Sequence, residues 1–380
     1  MINSQFGETP QGSQSSGVTD PYLGTIAKSP SAPSQTVNLE TGEVLGDIGG
    51  HFRRLFRFAL QNSAREILPD FKVKKCLRTP IPGRAVAVHR REDSETYYSG
   101  LHTCGSVWVC PVCTAKISER RRLDLLAALD SAKRQGLQVL LLTLTVPHYA
   151  TTDVFHLLGM VRYLTERFWS GRSRASLEVP GYVGQVRALE VTQGDNGWHP
   201  HLHILLFTSE PALPAYEALY ARWTALVQDS GLGTPNRHAL SLQDGTYAAQ
   251  YAGKWGLAEE LTKAHTKQAR AGGRTPWAIL ADYYGGDSCS GKLFREYARA
   301  LKGYRQLFFS RNLRELLELG LEKTDEELAA TVSAEDQFWP LAFKQWQFIV
   351  KNNLRGQVLE VFREGGPDDL VQLLYRFGFE

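Results

Sequence analysis

The sequence lacks features that would place the chain in several broad classes. No apolar run is long enough to cross a membrane, although 43% of the 380 residues are hydrophobic. The first residues show no basic start followed by an apolar core, so we expect no secretory signal. The net charge of +3 is too small to name a partner. No Gly-Lys-Ser/Thr phosphate loop occurs, so a helicase would have to come from a partner. We therefore expect a cytoplasmic globular protein.

Cysteine is scarce, and its placement favours a metal site over disulfides. Of five cysteines, three lie within ten residues, in "LHTCGSVWVCPVC": Cys104, Cys110 and Cys113. The C-P-V-C step is typical of a zinc knuckle, because two thiolates three residues apart can bind one tetrahedral ion. Cys76, in "KVKKCLR", is the first candidate for a fourth ligand and His102 is the second. The alternative is a set of buried free thiols.

Composition and periodicity divide the chain into four segments. Residues 1–48 are rich in Ser, Gly, Pro, Thr and Gln and are predicted to be a disordered tail. Residues 49–135 combine a basic amphipathic helix, "HFRRLFRFALQNSAREIL", with the cysteines. The basic face of that helix either is solvated or contacts DNA. Residues 136–320 form the central domain, and residues 321–380 are predicted to be helical.

The central domain alternates strand and helix patterns in the order β-α-β-β-α-β-α. "LQVLLLTLTV" and "GYVGQVRALEVT" are predicted strands, and "HPHLHILLF" returns after the turn "QGDNGW". The order is typical of the α+β class, in which an antiparallel sheet of the split βαβ type carries helices on one face.

Three histidines alternate along the returning strand. His199, His201 and His203 share one face, because successive side chains of a strand point to opposite sides. Two imidazoles on one strand face can hold one cation. Glu190 lies on the partner strand of the hairpin and is placed to reach the same ion. The alternative is a polar strand face rich in histidine, and His199, at the start of the strand, is placed only to orient the others.

Two tyrosines and a lysine share one face of a predicted helix in "DGTYAAQYAGKWG". Tyr247 and Tyr251 are four residues apart, which separates the two phenols by about 6 Å along the helix axis, and Lys254 follows three residues later. A phenol with a pKa near 10 is a poor nucleophile at neutral pH. A metal-bound phosphate and a lysine can assist it by stabilising charge. The alternative is one core tyrosine and one surface aromatic.

Three of these segments together resemble the replication initiator (Rep) proteins of small rolling-circle plasmids, within the HUH endonuclease superfamily. "LLLTLTV" resembles the first family motif, "HPHLH" the His-hydrophobe-His metal motif, and "YAAQYAGKWG" the tyrosine motif. The resemblance runs over about residues 70–320. It implies an RRM-like or ferredoxin-like nuclease core between a zinc-binding module and C-terminal helices.

The resemblance also implies a chemistry. Mg²⁺ or Mn²⁺ would be held by His201, His203 and a third polar ligand, for which Glu190 is our candidate. The tyrosine, here Tyr251 with Lys254 after it, would nick single-stranded DNA at an origin, remain joined to the 5′ phosphate and release a 3′ hydroxyl primer. Related initiators carry a similar cysteine cluster, whose Zn²⁺ would be structural.

The tyrosine motif departs from one pattern of the family. Some plasmid initiators carry glutamate four residues before the nucleophile, and this chain has Tyr247 there. The arrangement is similar to that of two-tyrosine phage initiators and transposases, in which the tyrosines alternate. We therefore predict Tyr251 as the first nucleophile and Tyr247 as the second.

Basic residues near these motifs are candidates for DNA contacts, since phosphate contacts and base stacking bind single strands. The candidates are Arg120, Arg121, Arg122, Lys267, Arg270 and Arg274. The expected partners are single-stranded or supercoiled origin DNA and a host helicase and polymerase. Each basic run alone is more often a solvated face.

Three other functions remain open from the sequence. A two-tyrosine transposase would use the same chemistry, and gene context would distinguish it. A zinc-dependent DNA-binding regulator would need no active site, and a metal-water phosphodiesterase would need no tyrosine.

Overall fold

The computed structural model describes residues 50–91, 96–211, 213–254, 273–330 and 337–380. The predicted tail and the candidate residues Lys267 and Arg270 lie outside these ranges. The helices are α1 (Gly50–Ile67), α2 (Pro111–Arg134), α3 (Val154–Phe168), α4 (Tyr216–Asp229), α5 (Gly245–Lys254), α6 (Pro276–Tyr284), α7 (Ser288–Ala300), α8 (Leu313–Leu316), α9 (Asp325–Ala330), α10 (Phe343–Lys351), α11 (Arg355–Glu364) and α12 (Pro367–Arg376). The strands are β1 (Ala87–Arg90), β2 (Thr96–Ser99), β3 (Gln138–Thr145), β4 (Tyr182–Gly194), β5 (Gly197–Thr208), β6 (Leu240–Gln243), β7 (Leu307–Phe309) and β8 (Gln337–Pro340).

The larger sheet has five antiparallel strands in the order β6-β3-β5-β4-β7. Strands β4 and β5 form the predicted hairpin, joined at Asp195 and Asn196. Its register places Glu190 directly opposite His201. The predicted combination of antiparallel sheet and helices is confirmed.

Helices cover both faces of this sheet, so the prediction of helices on one face is wrong. On one face, Leu142 and Ile204 pack in a core with α3 and α4. On the other face, Leu141 and Leu205 pack with residues of α2 and α5. The physical reason is the continuous apolar run of β3, because neighbouring leucines point to opposite faces and both faces then need cover.

A second sheet joins distant parts of the chain. Its strands are antiparallel in the order β2-β1-β8, with His89 opposite both Tyr97 and Phe338. The sequence did not predict β8. Helix α11 also packs against α1, and Gly356 allows this approach because an added Cβ would lie 2.9 Å from a methyl carbon of Leu55. The second sheet is therefore completed by a strand from the C-terminal region.

Helix α1 forms as predicted, but its basic face is not solvated. Arg54, Arg57 and Arg65 are buried, at 3%, 3% and 7% exposure. Arg54 forms an ion pair with Glu360 of α11 at 2.9 Å. The C-terminal helices cover this face, which a local sequence pattern does not reveal. Within the described residues, no helix is long and apolar enough to span a membrane.

Candidate functional site

Glu190, His201 and His203 converge on the sheet face that α5 partly covers. Oε2 of Glu190 lies 3.1 Å from Nε2 of His201 and 3.5 Å from Nε2 of His203. One possible ligand atom of each side chain lies within 4.8 Å of those of the other two. The alternation of β5 and the register of the hairpin place these groups together, so the structure assembles the three ligands that the sequence suggested.

Both histidine rings are oriented through their second nitrogen. Nδ1 of His203 lies 3.0 Å from Oγ1 of Thr143, its direct neighbour across the β3–β5 pairing. Nδ1 of His201 lies 3.3 Å from the carbonyl oxygen of His199. Such partners fix the ring and leave Nε2 for a ligand. Thr143 is a site residue that sequence reasoning missed, although its position in the alternating threonines of β3 was visible.

Tyr251 reaches the same cluster from α5. Its hydroxyl donates to Oε1 of Glu190 at 3.0 Å, and its ring lies 4.7 Å from that of His203. Tyr247, one turn earlier, is 45% exposed. Lys254 ends α5, and only its backbone is described. The structure therefore brings Tyr251 into contact with two of the three candidate ligands, Glu190 and His203.

The electrostatics of the cluster favour an ionised carboxylate. Burial raises the pKa of Glu190, but the attraction of His203 and the hydrogen bonds of His201 and His203 outweigh it and hold the pKa well below its usual range. Burial, with His201 and His148 nearby, lowers the pKa of His199 to about 3. The site therefore combines a charged carboxylate with an uncharged His199 at neutral pH.

His148 extends the row of rings beyond the predicted residues. Its ring stacks on that of His199 at 4.6 Å with a 16° angle between the planes. It follows β3, and the loop that carries it meets the hairpin turn at Gly197, where an added Cβ would lie 2.9 Å from the carbonyl oxygen of Tyr149. No sequence pattern singled out His148.

The carboxylate and two imidazoles suit a divalent cation with open positions. Imidazole and carboxylate are ligands of Mn²⁺, and carboxylate with water suits Mg²⁺. The three ligand atoms lie close together on one side of the sheet while Glu190 keeps 35% of its side chain exposed. The residues therefore fit a divalent ion.

Four buried cysteines form a second possible metal site, and Cys76 rather than His102 completes the set. The Sγ–Sγ distances are 3.5 Å for Cys76–Cys113, 3.6 Å for Cys104–Cys113 and 3.7 Å for Cys76–Cys110. A tetrahedral ion with Zn–S bonds of about 2.3 Å needs sulfur separations of about 3.8 Å. The four thiols therefore fit a tetrahedral ion.

The surroundings of Cys110 favour its negatively charged thiolate form. Burial raises the pKa of Cys110, but hydrogen bonds with the three other thiols and the backbone N–H of Cys113 lower it well below its usual value. The side-chain amide of Gln61 also donates to Cys110 Sγ at 3.1 Å. These donors favour a thiolate, which is the form that binds a metal.

The arginines that the sequence suggested for DNA binding make contacts within the chain. Arg121 is buried and pairs with Asp325 at 3.2 Å, and Arg120 donates to the carbonyl of Leu328. Arg122 pairs with Glu119 at 2.6 Å. The carboxylates of α9 lie about two hundred residues from α2 in sequence, so this role was not predictable from local pattern. A part in DNA binding stays a prediction for these residues.

Arg274 joins the hairpin to α6 and α7. Its guanidinium donates to Gln193 Oε1 at 2.9 Å, to Asp282 at 3.0 Å and to Ser290 at 3.2 Å. One third of the side chain remains exposed. Contact with DNA at Arg274 likewise stays a prediction.

Comparisons with known proteins found one matching family model and two similar proteins. A family model described as "Replication protein" matches residues 99–353, more than half of the chain. "Protein rep" of Streptomyces lividans is 28% identical over 320 residues, covering 65% of this chain and 70% of that protein. "Neomycin resistance protein" of Streptomyces cyanogenus is 30% identical over 151 residues, covering 33% of this chain and 35% of that protein. No solved structure matches the chain significantly.

Proposed function

The chain belongs to the replication protein family, and on this premise we propose that it initiates rolling-circle replication of a plasmid by nicking one strand of origin DNA through Tyr251. The observation that carries the proposal is the hydrogen bond from the Tyr251 hydroxyl to Glu190, whose other oxygen faces both histidines. The Glu190 carboxylate thus contacts the proposed nucleophile through one oxygen, where it can accept the phenol proton. Through its other oxygen it belongs to the candidate metal site.

The sheet supports an HUH nuclease core. Four strands in the order β6-β3-β5-β4, all antiparallel, match the order of the split βαβ class. The histidines lie on a central strand of this sheet, and the tyrosine helix crosses the same face. The strand order and the positions of the histidines and of Tyr251 therefore support the resemblance to HUH initiators.

In the proposed reaction, Glu190, His201 and His203 would hold Mg²⁺ or Mn²⁺. The ion would act as a Lewis acid on the scissile phosphate. Oη of Tyr251 attacks phosphorus, a new phosphorus–phenol oxygen bond forms, and the bond to the 3′ oxygen breaks. Oε1 of Glu190 accepts the phenol proton, and the departing 3′ oxygen takes a proton from water. The products are a 5′-phosphotyrosine and a free 3′ hydroxyl.

Tyr247 is proposed as the second nucleophile. It lies one turn from Tyr251 on α5 and is exposed, so it is free to meet a new phosphate while Tyr251 holds the first. Lys254, at the end of the same helix, is proposed to stabilise phosphate charge. The four cysteines are proposed to hold a structural Zn²⁺, since protein thiols fill all four positions.

Cleavage of single-stranded oligonucleotides tests this function. Oligonucleotides that tile both strands of the replicon would be incubated with Mn²⁺ and analysed on denaturing gels. Wild-type protein should form a protein–DNA adduct that Tyr251→Phe abolishes, and Tyr247→Phe should still cut once but lose strand joining. Tyr163→Phe, on the exposed surface of α3, is the matched control. Cleavage without an adduct that survives the double Tyr247/Tyr251 variant would identify water as the nucleophile and refute the proposal.

A further inference from the structure

Two buried arginines near the cysteines have no ion-pair partner among the described carboxylates. Arg65 of α1 and Arg355 of α11 are 7% and 2% exposed. Among the ion pairs of the described residues, none joins either guanidinium to an acidic side chain, whereas the equally buried Arg54 has Glu360 at 2.9 Å. An unpaired buried charge is costly, so these two arginines require a source of negative charge.

Both guanidiniums remain charged in this environment. Burial and the neighbouring Arg65 lower the pKa of Arg355 to about 9, which still leaves it protonated at neutral pH. Its guanidinium also lies 5.2 Å from the ring centre of Phe58, and this contact favours the cation. The segment therefore holds two like charges in a small buried volume.

One glutamine links both charges to the thiols. Gln61 donates through Nε2 to Cys110 Sγ at 3.1 Å. Its Oε1 accepts from Arg65 Nη2 at 2.6 Å and from Arg355 Nη1 at 2.9 Å. Orientation of the amide is thus fixed, with its donor toward sulfur and its acceptor toward the arginines.

The same arginines donate hydrogen bonds to the backbone at Cys76, one of the four candidate metal ligands, and at the next residue. Arg65 donates to the carbonyl of Cys76, and Arg355 donates to the carbonyl of Leu77 at 2.9 Å. Asn62 joins the network by accepting from both guanidiniums, at 2.7 Å from Arg65 and 2.6 Å from Arg355. Arg65 and Arg355 are therefore the outer partners of the cysteine cluster.

The buried charges of this network balance when all four cysteines are thiolates around a divalent ion. Four thiolates and one divalent cation carry −2, and the two guanidiniums carry +2. Four neutral thiols would leave both positive charges uncompensated. We propose that Arg65 and Arg355 are the counter-cations of a tetrathiolate centre and that this balance docks α11, so that the bound divalent ion controls attachment of the C-terminal helices.

Arg355 connects this network to the start of α11. It is the first residue of α11, and its carbonyl accepts from the Tyr98 hydroxyl at 2.8 Å. Residues 61, 65 and 355 lie outside the range 99–353 that the family model matches. The network thus ties segments on both sides of the family-matched range to a cysteine cluster that lies mostly within it. The docking of α11 rests on the proposed metal site of the four cysteines and is independent of the chemistry of Tyr251.

Hydrogen–deuterium exchange on the full-length wild-type protein tests the docking. Zn²⁺ would be bound and then removed with increasing chelator. We expect amide protection over residues 355–376 to fall at the same chelator concentration as protection over residues 104–116, while residues 197–208 keep theirs. Protection over residues 355–376 that persists after the ion has left residues 104–116 would overturn the proposal.

Zn²⁺ affinity, measured by competition with a chromophoric chelator, tests the counter-cation role. Arg355→Met should weaken binding about 10- to 100-fold, as loss of an outer partner of a metal ligand does. Arg355→Lys keeps the charge and should retain more of the affinity. Arg376→Met, on the exposed surface of α12, is the control and should bind as wild type. Equal affinity in Arg355→Met and wild type would contradict the proposal. The hydrogen–deuterium exchange experiment uses only wild-type protein, so it does not depend on whether a variant folds.

Discussion

At the scale of single residues, Glu190 connects the parts of the candidate active site. One carboxylate oxygen accepts from Tyr251 and the other faces His201 and His203. A carboxylate that is held ionised can serve both as a ligand and as a proton acceptor. The organisation of the site thus depends on one side chain whose neighbours come from β5 and α5.

Thr143 is expected to set the metal affinity through His203. Thr143→Val removes the oxygen that lies 3.0 Å from Nδ1 of His203 and should weaken Mn²⁺ binding about 10- to 100-fold, because the imidazole loses its orientation. Electron paramagnetic resonance of unbound Mn²⁺ measures this without DNA or cleavage.

Two further variants separate orientation from packing. Thr143→Ser keeps the hydroxyl and should restore most of the affinity. Thr145→Val alters the threonine opposite His201, whose Nδ1 lies instead near the His199 carbonyl, and should change affinity little. If Thr143→Val binds Mn²⁺ as tightly as wild type, the orienting role is wrong.

His199 is expected to make metal-free protein sensitive to acid. Its pKa is lowered to about 3, against about 6.5 in an unfolded chain. Between these values the unfolded chain binds more protons, so the free energy of unfolding decreases as the pH falls below 6.5. Urea denaturation in chelator at pH 7 and pH 5 should show a loss that is about 1–2 kcal/mol smaller in His199→Asn than in wild type. His156→Asn, at an exposed site on α3, should lose as much as wild type, and an equal loss in His199→Asn would contradict the assignment.

Much of this residue-level arrangement was predictable from strand geometry. The alternation of β5 placed His201 and His203 on one face, and a short turn placed Glu190 across from them. Cys76 could be proposed from residue type alone. Thr143, His148 and Gln61 were not predicted, because their roles arise from contacts across strands or between helices that no local pattern encodes.

At the scale of elements, the β4–β5 hairpin depends on Gly197. This residue has φ +88°, and an added Cβ would lie 2.9 Å from the Tyr149 carbonyl oxygen and 3.0 Å from Cα of Ala150. Glycine therefore allows both the turn and the close approach of the loop that carries His148.

Replacement of Gly197 tests that dependence. Gly197→Ala should lower the free energy of unfolding by about 1–3 kcal/mol more than Gly136→Ala, because both strain a positive φ but only Gly197 also meets backbone atoms. Chemical denaturation of both variants provides the comparison. Equal losses would show that the close contact with residues 149 and 150 costs nothing.

Whether a segment forms a helix or a strand was easier to predict than which other elements it packs against or pairs with. Strands β3, β4 and β5 follow from their apolar patterns and α1 from its helical periodicity, whereas β7 was not predicted. The cover on both sheet faces and the pairing of β8 with β1 were not predicted, because they involve residues far apart in sequence. The burial of Arg54 on α1 has the same cause, since its partner Glu360 belongs to α11.

At the scale of the whole molecule, the described C-terminal helices are part of the packing around α1. The Arg54–Glu360 pair is almost fully buried, with 4% and 3% of the side chains exposed. Glu360→Gln leaves a buried guanidinium without its full counter-charge and should lower the free energy of unfolding by about 3–5 kcal/mol. Glu364→Gln removes a carboxylate that is 71% exposed and should cost less than about 1 kcal/mol. Similar losses of unfolding free energy in the two variants, measured by denaturation, would contradict the role of the Arg54–Glu360 pair in packing α11 against α1.

In the proposed reaction, Tyr251 becomes covalently joined to a 5′ phosphate. The most direct measurement is tandem mass spectrometry of the wild-type protein after reaction with single-stranded origin DNA and Mn²⁺ and nuclease trimming of the adduct. We predict a nucleotide attached through its 5′ phosphate to Tyr251, with Tyr247 modified only when a second strand is supplied. Cleaved DNA with a free 5′ phosphate and no modified tyrosine would contradict the account.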